Sequence, residues 1–398
     1  MVILAAGEGT RMRPLTGNRP KVMIPFANKP IVEHLLIEAR EAGIRDFIFI
    51  VGYGGEQVRS YFGSGEKWGV SVEYSEQRKQ LGTADAIRYV KNTVDGNFLV
   101  VNGDIIVNRE DIRLLMKRTN NTMTVIEVEN TEGLGIVELA ETKVINIHEK
   151  TENPPTRLAN TGMYLFTPQI FEIIERTEIS PRGEYELPGS LQLCIDTEDG
   201  LDCMELKSWL DVSYPWDLLR ANEAGLAGLK SKNLGEVEEH VTLKGPVVIG
   251  ANTVIRSGSY IQGPVVIGAG CDIGPNCYIR PSTAIGDNCR IGAAVEVKNS
   301  IIMKGTKIPH FNYVGDSVIG ENCNLGAGTK IANLRLDKQD IRVKGIDTGR
   351  RKLGAIIGDG VETGINVSIN VGSMIGNNTF IGPGSVISGE IQPNTKFY

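Results

Sequence analysis

Hydrophobic and polar positions fall into two regimes that meet near residue 230. Ahead of that point, short apolar runs alternate with amphipathic stretches: "VILAA", "PIVEHLLIEAREAG", "DFIFIVG", a helical pattern from about Gly54, "VSVEYS", "TADAIRYVKN" and "FLVVNGD". Apolar runs bounded by turn residues predict buried strands, and stretches with a helical period predict the helices between them. The alternation argues for an α/β domain over 1–230 with a mixed, mostly parallel sheet. Ligands of such sheets sit outside the carboxyl ends of the strands. The loop after "VILAA", the turn Asn102-Gly103-Asp104 and the segment "YSEQRKQLGTADA" all fall at such ends.

After Gly235 the pattern changes. Ile249, Ile255, Ile261, Ile267, Ile273, Ile279, Ile285, Ile291 and Val297 recur at every sixth residue. The spacing returns at Ile319, Leu325 and Ile331, and again along Ile357, Ile369, Ile375, Ile381 and Ile387, with Thr363 as a polar intruder. A hexapeptide period predicts a parallel β-helix over 231–398, in which stacked coils bury columns of aliphatic side chains. The period is expected to break at 304–317 and at 333–355, and breaks in a solenoid become loops where function collects.

Composition narrows the partners. A formal net charge of -6 over 398 residues offers no general attraction to nucleic acid or to an acidic membrane face. The six cysteines contain no C-x-x-C pair, so they are expected to be free thiols in a reducing cytoplasm. The apolar start is too short for a signal peptide, and no segment approaches a membrane span.

Candidate chemistry begins at "VILAAGEGTRMRPLTGNRPK". Neither common Gly-rich phosphate pattern fits, because Met12 stands at the third glycine of G-x-G-x-x-G and no G-K-[ST] follows. Glycines after a strand still let backbone N–H groups approach phosphate oxygens, and Arg11 and Lys21 can neutralise a triphosphate. Arg13, Arg19 and Lys150 are either further phosphate contacts or surface charge.

This opening resembles the signature of the sugar-1-phosphate nucleotidylyltransferases, and the hexapeptide half resembles their fused acetyltransferase domain. The match spans nearly the whole chain. It points to the bifunctional family of N-acetylglucosamine-1-phosphate uridylyltransferases and glucosamine-1-phosphate acetyltransferases, in its archaeal form. The resemblance implies a Rossmann-like nucleotidyltransferase domain followed by a left-handed parallel β-helix, Mg²⁺ as cofactor and acetyl-CoA as co-substrate. It also implies UTP or dTTP, N-acetylglucosamine-1-phosphate and glucosamine-1-phosphate as small-molecule partners, and a homotrimer.

The resemblance assigns residues as well. Ala5, Ala6, Gly7, Gly9, Thr10 and Arg11 would hold the nucleotide, with Gln77, Gln80, Gly82 and Thr83 at the base. Lys21 would bridge nucleotide and sugar phosphates, and Asp104 and Asp211 would bind Mg²⁺. Gly135, Glu149 and Asn160 would hold the sugar. In the second half His310 would be the general base, since imidazole accepts a proton near neutral pH. Arg280, Lys298, Tyr313, Asn324 and Asn333 would contact the amino sugar phosphate. Ala327 would lie at acetyl-CoA, with Arg350, Arg351 and Lys352 on its phosphates. A second reading keeps only nucleotidylyl transfer, with the β-helix as an assembly or regulatory module.

Overall fold

The computed structural model describes residues 1–149, 151–198 and 200–398, so Lys150 lies outside the described residues. The chain resolves into two compact units. The first comprises Met1–Glu8, Pro20–Met23 and Ile31–Asp211; the second comprises Gly9–Arg19, Ile24–Pro30 and Val212–Tyr398.

The first unit is built on a nine-stranded sheet. Its N-terminal part is parallel: Val2–Ala5 lies between Asp46–Val51 and Phe98–Asn102, with Ser71–Glu76 beyond. The helices Ile31–Ala42, Gly55–Phe62 and Thr83–Arg88 provide the crossovers. Phe49, Val101, Leu36 and Val58 are buried in one cluster, and Val2, Val100, Ile87 and Leu191 in another.

The expectation of a mostly parallel sheet needs correction beyond Asn102. Leu158–Phe166 pairs antiparallel with Phe98–Asn102 and with Thr122–Glu127, and Lys143–Glu149 pairs antiparallel with Gly135–Ala140. Between Thr122 and Phe166 the strands follow one another without an intervening helix, which permits hairpin pairing and removes the crossover that a parallel neighbour requires.

The second unit is dominated by three sheets of parallel strands that take successive strands in turn. Val247–Ile249 pairs with Val265–Ile267, which pairs with Thr283–Ile285, in register throughout. The arrangement fits a parallel β-helix. Ile249, Ile255, Ile261, Ile267, Ile273 and Ile279 all fall in one buried cluster that continues to Ile387. Thr363 fits the column because its hydroxyl is satisfied, 2.9 Å from that of Thr329 and 2.8 Å from the Gly326 amide.

The expected break at 304–317 is not a break. Ile291 pairs with Ile308 and Val297 with Val314, and both partners are fully buried in the same core. The corners after Val297 and Val314 are each one residue short, which shifts the frame of a six-residue scan while the coils continue. His310 therefore closes the strand Lys307–His310 on the solenoid itself, opposite Ala293. The second break is real. Between Asn333 and Gly354 the chain leaves the coil and forms a hairpin of Arg342–Val343 with Ile346–Asp347, with Ile341 and Val343 buried; Ala355 is already back on the coil, opposite Ser373.

All six cysteines are buried, and none is joined in a disulfide. Among the described residues, no helix is long and apolar enough to cross a membrane.

Candidate active sites

The first unit gathers most of the expected nucleotide and sugar residues at strand ends. Ala5 and Ala6 are buried where Val2–Ala5 ends, and the Ala6 carbonyl accepts from the Tyr53 amide (3.1 Å) and from Gln80 Nε2 (2.8 Å). Gly7 has nothing within 4 Å on the side where a Cβ would stand, so its backbone is open to approach. Gln77 is buried, and its Nε2 donates to the Gly82 carbonyl (3.0 Å) and to Asp85 Oδ2 (2.9 Å). Asp85 thus holds the loop that presents Gln80. Its part in that loop required the fold to be seen, although "GTADA" contained it.

Gly82 has φ 103°, and a Cβ there would lie 2.4 Å from the Tyr185 carbonyl oxygen. Only glycine serves this turn without strain. Thr83 opens the helix Thr83–Arg88, and its Oγ1 accepts the Leu187 amide at 3.0 Å, where the helix Leu187–Ile195 begins without a side-chain cap of its own.

Lys21 and Asp104 form an ion pair, Nζ to Oδ2 2.5 Å, with the lysine side chain 10% and the carboxylate 29% exposed. Asp104 precedes the strand Ile105–Val107, which pairs antiparallel with Trp209–Asp211 and sets Asp211 opposite Ile105. Asp104, one of the two carboxylates expected to bind metal, therefore stands one residue before the ladder position that faces the other, Asp211. That donor set suits Mg²⁺, which is commonly held by one or two carboxylates plus substrate phosphates and water.

Gly135 and Glu149 are opposed in the hairpin of Gly135–Ala140 with Lys143–Glu149. A Cβ on Gly135 would lie 2.4 Å from Glu149 Oε1, so the missing side chain leaves the space that the carboxylate fills. Asn160 Oδ1 accepts from the Tyr164 hydroxyl at 2.9 Å and from the Gly162 amide at 3.1 Å. Burial pushes the Tyr164 hydroxyl pKa up, and the negative charge of Glu149 adds to the rise. Asn160 thus contacts Tyr164 directly and Glu149, packed against Gly135, acts on it by its charge; sequence reading passed Tyr164 over.

Gly9, Thr10 and Arg11 belong to the second unit. Gly9 turns in a left-handed conformation (φ 70°, ψ 48°) into the short helix Thr10–Met12, and its carbonyl accepts from the Thr16 hydroxyl at 3.0 Å. The Arg11 guanidinium lies 5.5 Å from the centre of the Tyr214 ring, which stacks on Trp216 at 4.8 Å. Tyr214 is a further residue that the sequence held, in "WLDVSYPWD", without announcing its use.

The β-helix carries a second polar cluster. Lys298 Nζ lies 3.0 Å from Asp316 Oδ2, with side chains 19% and 3% exposed. Asp316 also accepts from Asn299 (2.8 Å) and Asn333 (2.5 Å), and Asn333 reaches the Tyr313 hydroxyl at 3.2 Å. Burial raises the Tyr313 pKa, with the Asp316 and Glu296 charges contributing. Arg280 pairs with Glu296 at 2.8 Å, and Glu296 lies opposite Tyr313 in the ladder. Asp316 is the centre of this network, although the motif "YVGD" drew attention to Tyr313.

His310 is exposed, and its carbonyl accepts the Gly328 amide at 3.0 Å, which puts Ala327 on the next coil beside it. Asn324 is also exposed and lies opposite Lys307, in the strand that ends at His310. A cavity of about 620 Å³ is lined by Asp316, Leu334, Lys338, Gly349, Arg350, Arg351 and Lys352. The expected basic triplet thus lines one cavity with Asp316, and Lys338 joins it as a residue not foreseen.

The N-terminal 227 residues match the family model described as nucleotidyl transferase, and residues 261–371 match one described as a GMPPB C-terminal domain. A Methanocaldococcus jannaschii protein named bifunctional protein GlmU is 44% identical over 100% of this chain and 97% of its own length. A Sulfurisphaera tokodaii protein named bifunctional sugar-1-phosphate nucleotidylyltransferase/acetyltransferase is 40% identical over 98% of this chain and 97% of its own. The chain belongs to this bifunctional family. Membership in the bifunctional nucleotidylyltransferase/acetyltransferases extends through both halves of the sequence. A crystal structure of a Bacillus anthracis protein described as a glucose-1-phosphate thymidylyltransferase matches with TM-score 0.53 and 28% identity, over 58% of this chain and 96% of that one.

Proposed function

We propose that the chain catalyses two steps toward one nucleotide sugar. Acetyl passes from acetyl-CoA to the amine of glucosamine-1-phosphate, and a uridylyl group passes from UTP, or thymidylyl from dTTP, to N-acetylglucosamine-1-phosphate with release of pyrophosphate. The functional division lies at 1–230 and 231–398, the second part a left-handed β-helix, and the working form is a homotrimer.

In nucleotidylyl transfer a sugar phosphate oxygen attacks the α-phosphorus, so both reactants are anions and no protein nucleophile is required. Arg11 and Lys21 take up charge that develops on the phosphates, while the open backbone at Gly7 and the turn at Gly9 and Thr10 cradle them. Asp104 and Asp211 would hold Mg²⁺, which when bound neutralises phosphate charge. Gln80, held by Ala6, and the turn of Gln77, Gly82 and Thr83 form the base side. Gly135, Glu149 and Asn160 receive the sugar.

In acetyl transfer His310 accepts the proton of the attacking amine. Arg280, Lys298, Tyr313, Asn324 and Asn333 orient the amino sugar phosphate. Ala327 lies along the acetyl-CoA path, and Arg350, Arg351 and Lys352 receive its phosphates.

The observation that carries the second activity is the network of Lys298, Asp316, Asn333 and Tyr313 on adjoining coils. A solenoid that served only assembly would gain nothing from burying a charged cluster there, since apolar replacements of similar volume are often as stable. Purified protein assayed with Mg²⁺, a panel of triphosphates and sugar phosphates, and acetyl-CoA with a thiol-detecting dye tests the reading. Pyrophosphate and free thiol are both expected, and absence of thiol release would leave nucleotidylyl transfer alone.

A further inference from the structure

The segment that follows the glycine turn is anchored to the β-helix. Arg19 is 6% exposed, far from the solvated surface charge of an ordinary loop arginine. Its Nη2 lies 2.6 Å from Asp359 Oδ2 and 3.4 Å from Glu321 Oε1, and its Nη1 lies 3.0 Å from Met303 Sδ. Asn18 Nδ2 reaches the same Asp359 Oδ2 at 3.1 Å. Met303, Glu321 and Asp359 stand at corners of three coils, so one arginine is clasped by three turns of the solenoid.

The coil itself uses only half of Asp359. Its Oδ1 accepts the Glu321 amide of the coil before at 2.8 Å. The same corner bond recurs on both sides: Asp287 Oδ1 accepts the Ala269 amide at 2.7 Å, and Asn377 Oδ1 accepts the Asp359 amide at 3.0 Å. An asparagine therefore satisfies this corner as well as an aspartate. What the carboxylate adds is Oδ2, and both donors on Oδ2 come from residues 18 and 19.

Upstream of that anchor the turn is tied at short intervals. The Thr16 hydroxyl donates to the Gly9 carbonyl, the Leu15 amide donates to Met12 at 3.0 Å, and Arg11 rests over Tyr214. These ties link the anchored Arg19 back through the turn to Arg11.

We propose that Asp359, on the β-helix, is a positioning residue for nucleotidylyl transfer. It fixes the end of the phosphate-gripping loop through Arg19 and Asn18, and Arg11 takes its place from that loop. The inference rests on the nucleotidylyl reading of the loop and adds to it a dependence on the solenoid. Because a misplacement near 1 Å costs on the order of a hundredfold in rate, loss of the anchor should be visible in catalysis before it is visible in folding.

The test is the full-length enzyme with Asp359→Asn, which keeps the corner bond and removes the charge, assayed for pyrophosphate release, triphosphate KM and coenzyme A release. Expected is a fall of about tenfold to a hundredfold in kcat/KM for the triphosphate, with coenzyme A release within about twofold of wild type. Arg19→Gln should give the same loss, and the double variant should lose no more than either single one, as residues acting through one contact do. Asn18→Ala, which leaves the ion pair in place, should give a smaller change in the same direction. Unchanged triphosphate kinetics in Asp359→Asn and Arg19→Gln, additive losses in the double variant, or equal loss of both activities would overturn the proposal. A wild-type enzyme that releases no pyrophosphate from any triphosphate would instead remove the nucleotidylyl reading beneath it.

Discussion

Lys21 is paired with Asp104 at 2.5 Å, with its own side chain almost entirely withdrawn from water. A buried ammonium held by a single carboxylate is poised for anionic ligands, because a phosphate arriving beside it finds a positive charge with little hydration to shed. Lys21→Ala is expected to lower pyrophosphate release by about a hundredfold to a thousandfold, the usual cost of removing one electrostatic contact to a developing charge. Coenzyme A release measured on the same preparation should not change.

The carboxylate pair yields a companion prediction. Asp104→Asn and Asp211→Asn should each lower pyrophosphate release by orders of magnitude and shift the Mg²⁺ dependence of the residual rate to higher concentrations. Titration of activity against added Mg²⁺ checks this. A variant that kept the wild-type Mg²⁺ midpoint would take that residue out of the metal site.

Gly135→Ala places a Cβ only 2.4 Å from where Glu149 Oε1 now stands. The carboxylate must move, and the sugar phosphate KM is expected to rise about tenfold while the triphosphate KM stays near wild type. Steady-state kinetics with each substrate varied in turn separates the two.

These three predictions draw unequally on what the sequence reveals. Columns such as Ile249, Ile255 and Ile261 are legible because each side chain points to the same core at a fixed period. The strands between Thr122 and Phe166 are harder, since an apolar run does not declare whether its neighbour is parallel. The six-residue pattern puts His310 in a loop, whereas it ends a strand of the coil, because two shortened corners move the frame without disturbing the coil. Asp316, Asp85 and Tyr214 act through contacts that only the fold creates, and Arg19 meets a partner 340 residues away.

The buried thiols predict an alkaline weakness. Burial pushes Cys277 and Cys323 up from the ordinary 9.0 to about 12. A thiol whose folded pKa is raised contributes stability that is fully present below the unfolded value and is lost as pH rises through the folded one. Melting temperature should therefore hold steady up to about pH 9 and fall progressively toward pH 12. Native protein at pH 8 should also resist a thiol alkylating reagent that labels all six cysteines after denaturation.

On the proposed function, one chain carries two separate chemistries, one in each half. The most direct measurement follows pyrophosphate and free thiol side by side for wild type, Asp104→Asn and His310→Ala, with acetyl-CoA, glucosamine-1-phosphate, N-acetylglucosamine-1-phosphate, UTP and Mg²⁺ supplied. A positioned base contributes about a hundredfold to ten-thousandfold, so His310→Ala should lose thiol release by that factor and keep pyrophosphate release, while Asp104→Asn does the reverse. Loss of both products in either folded variant, or unchanged thiol release in His310→Ala, would contradict the account.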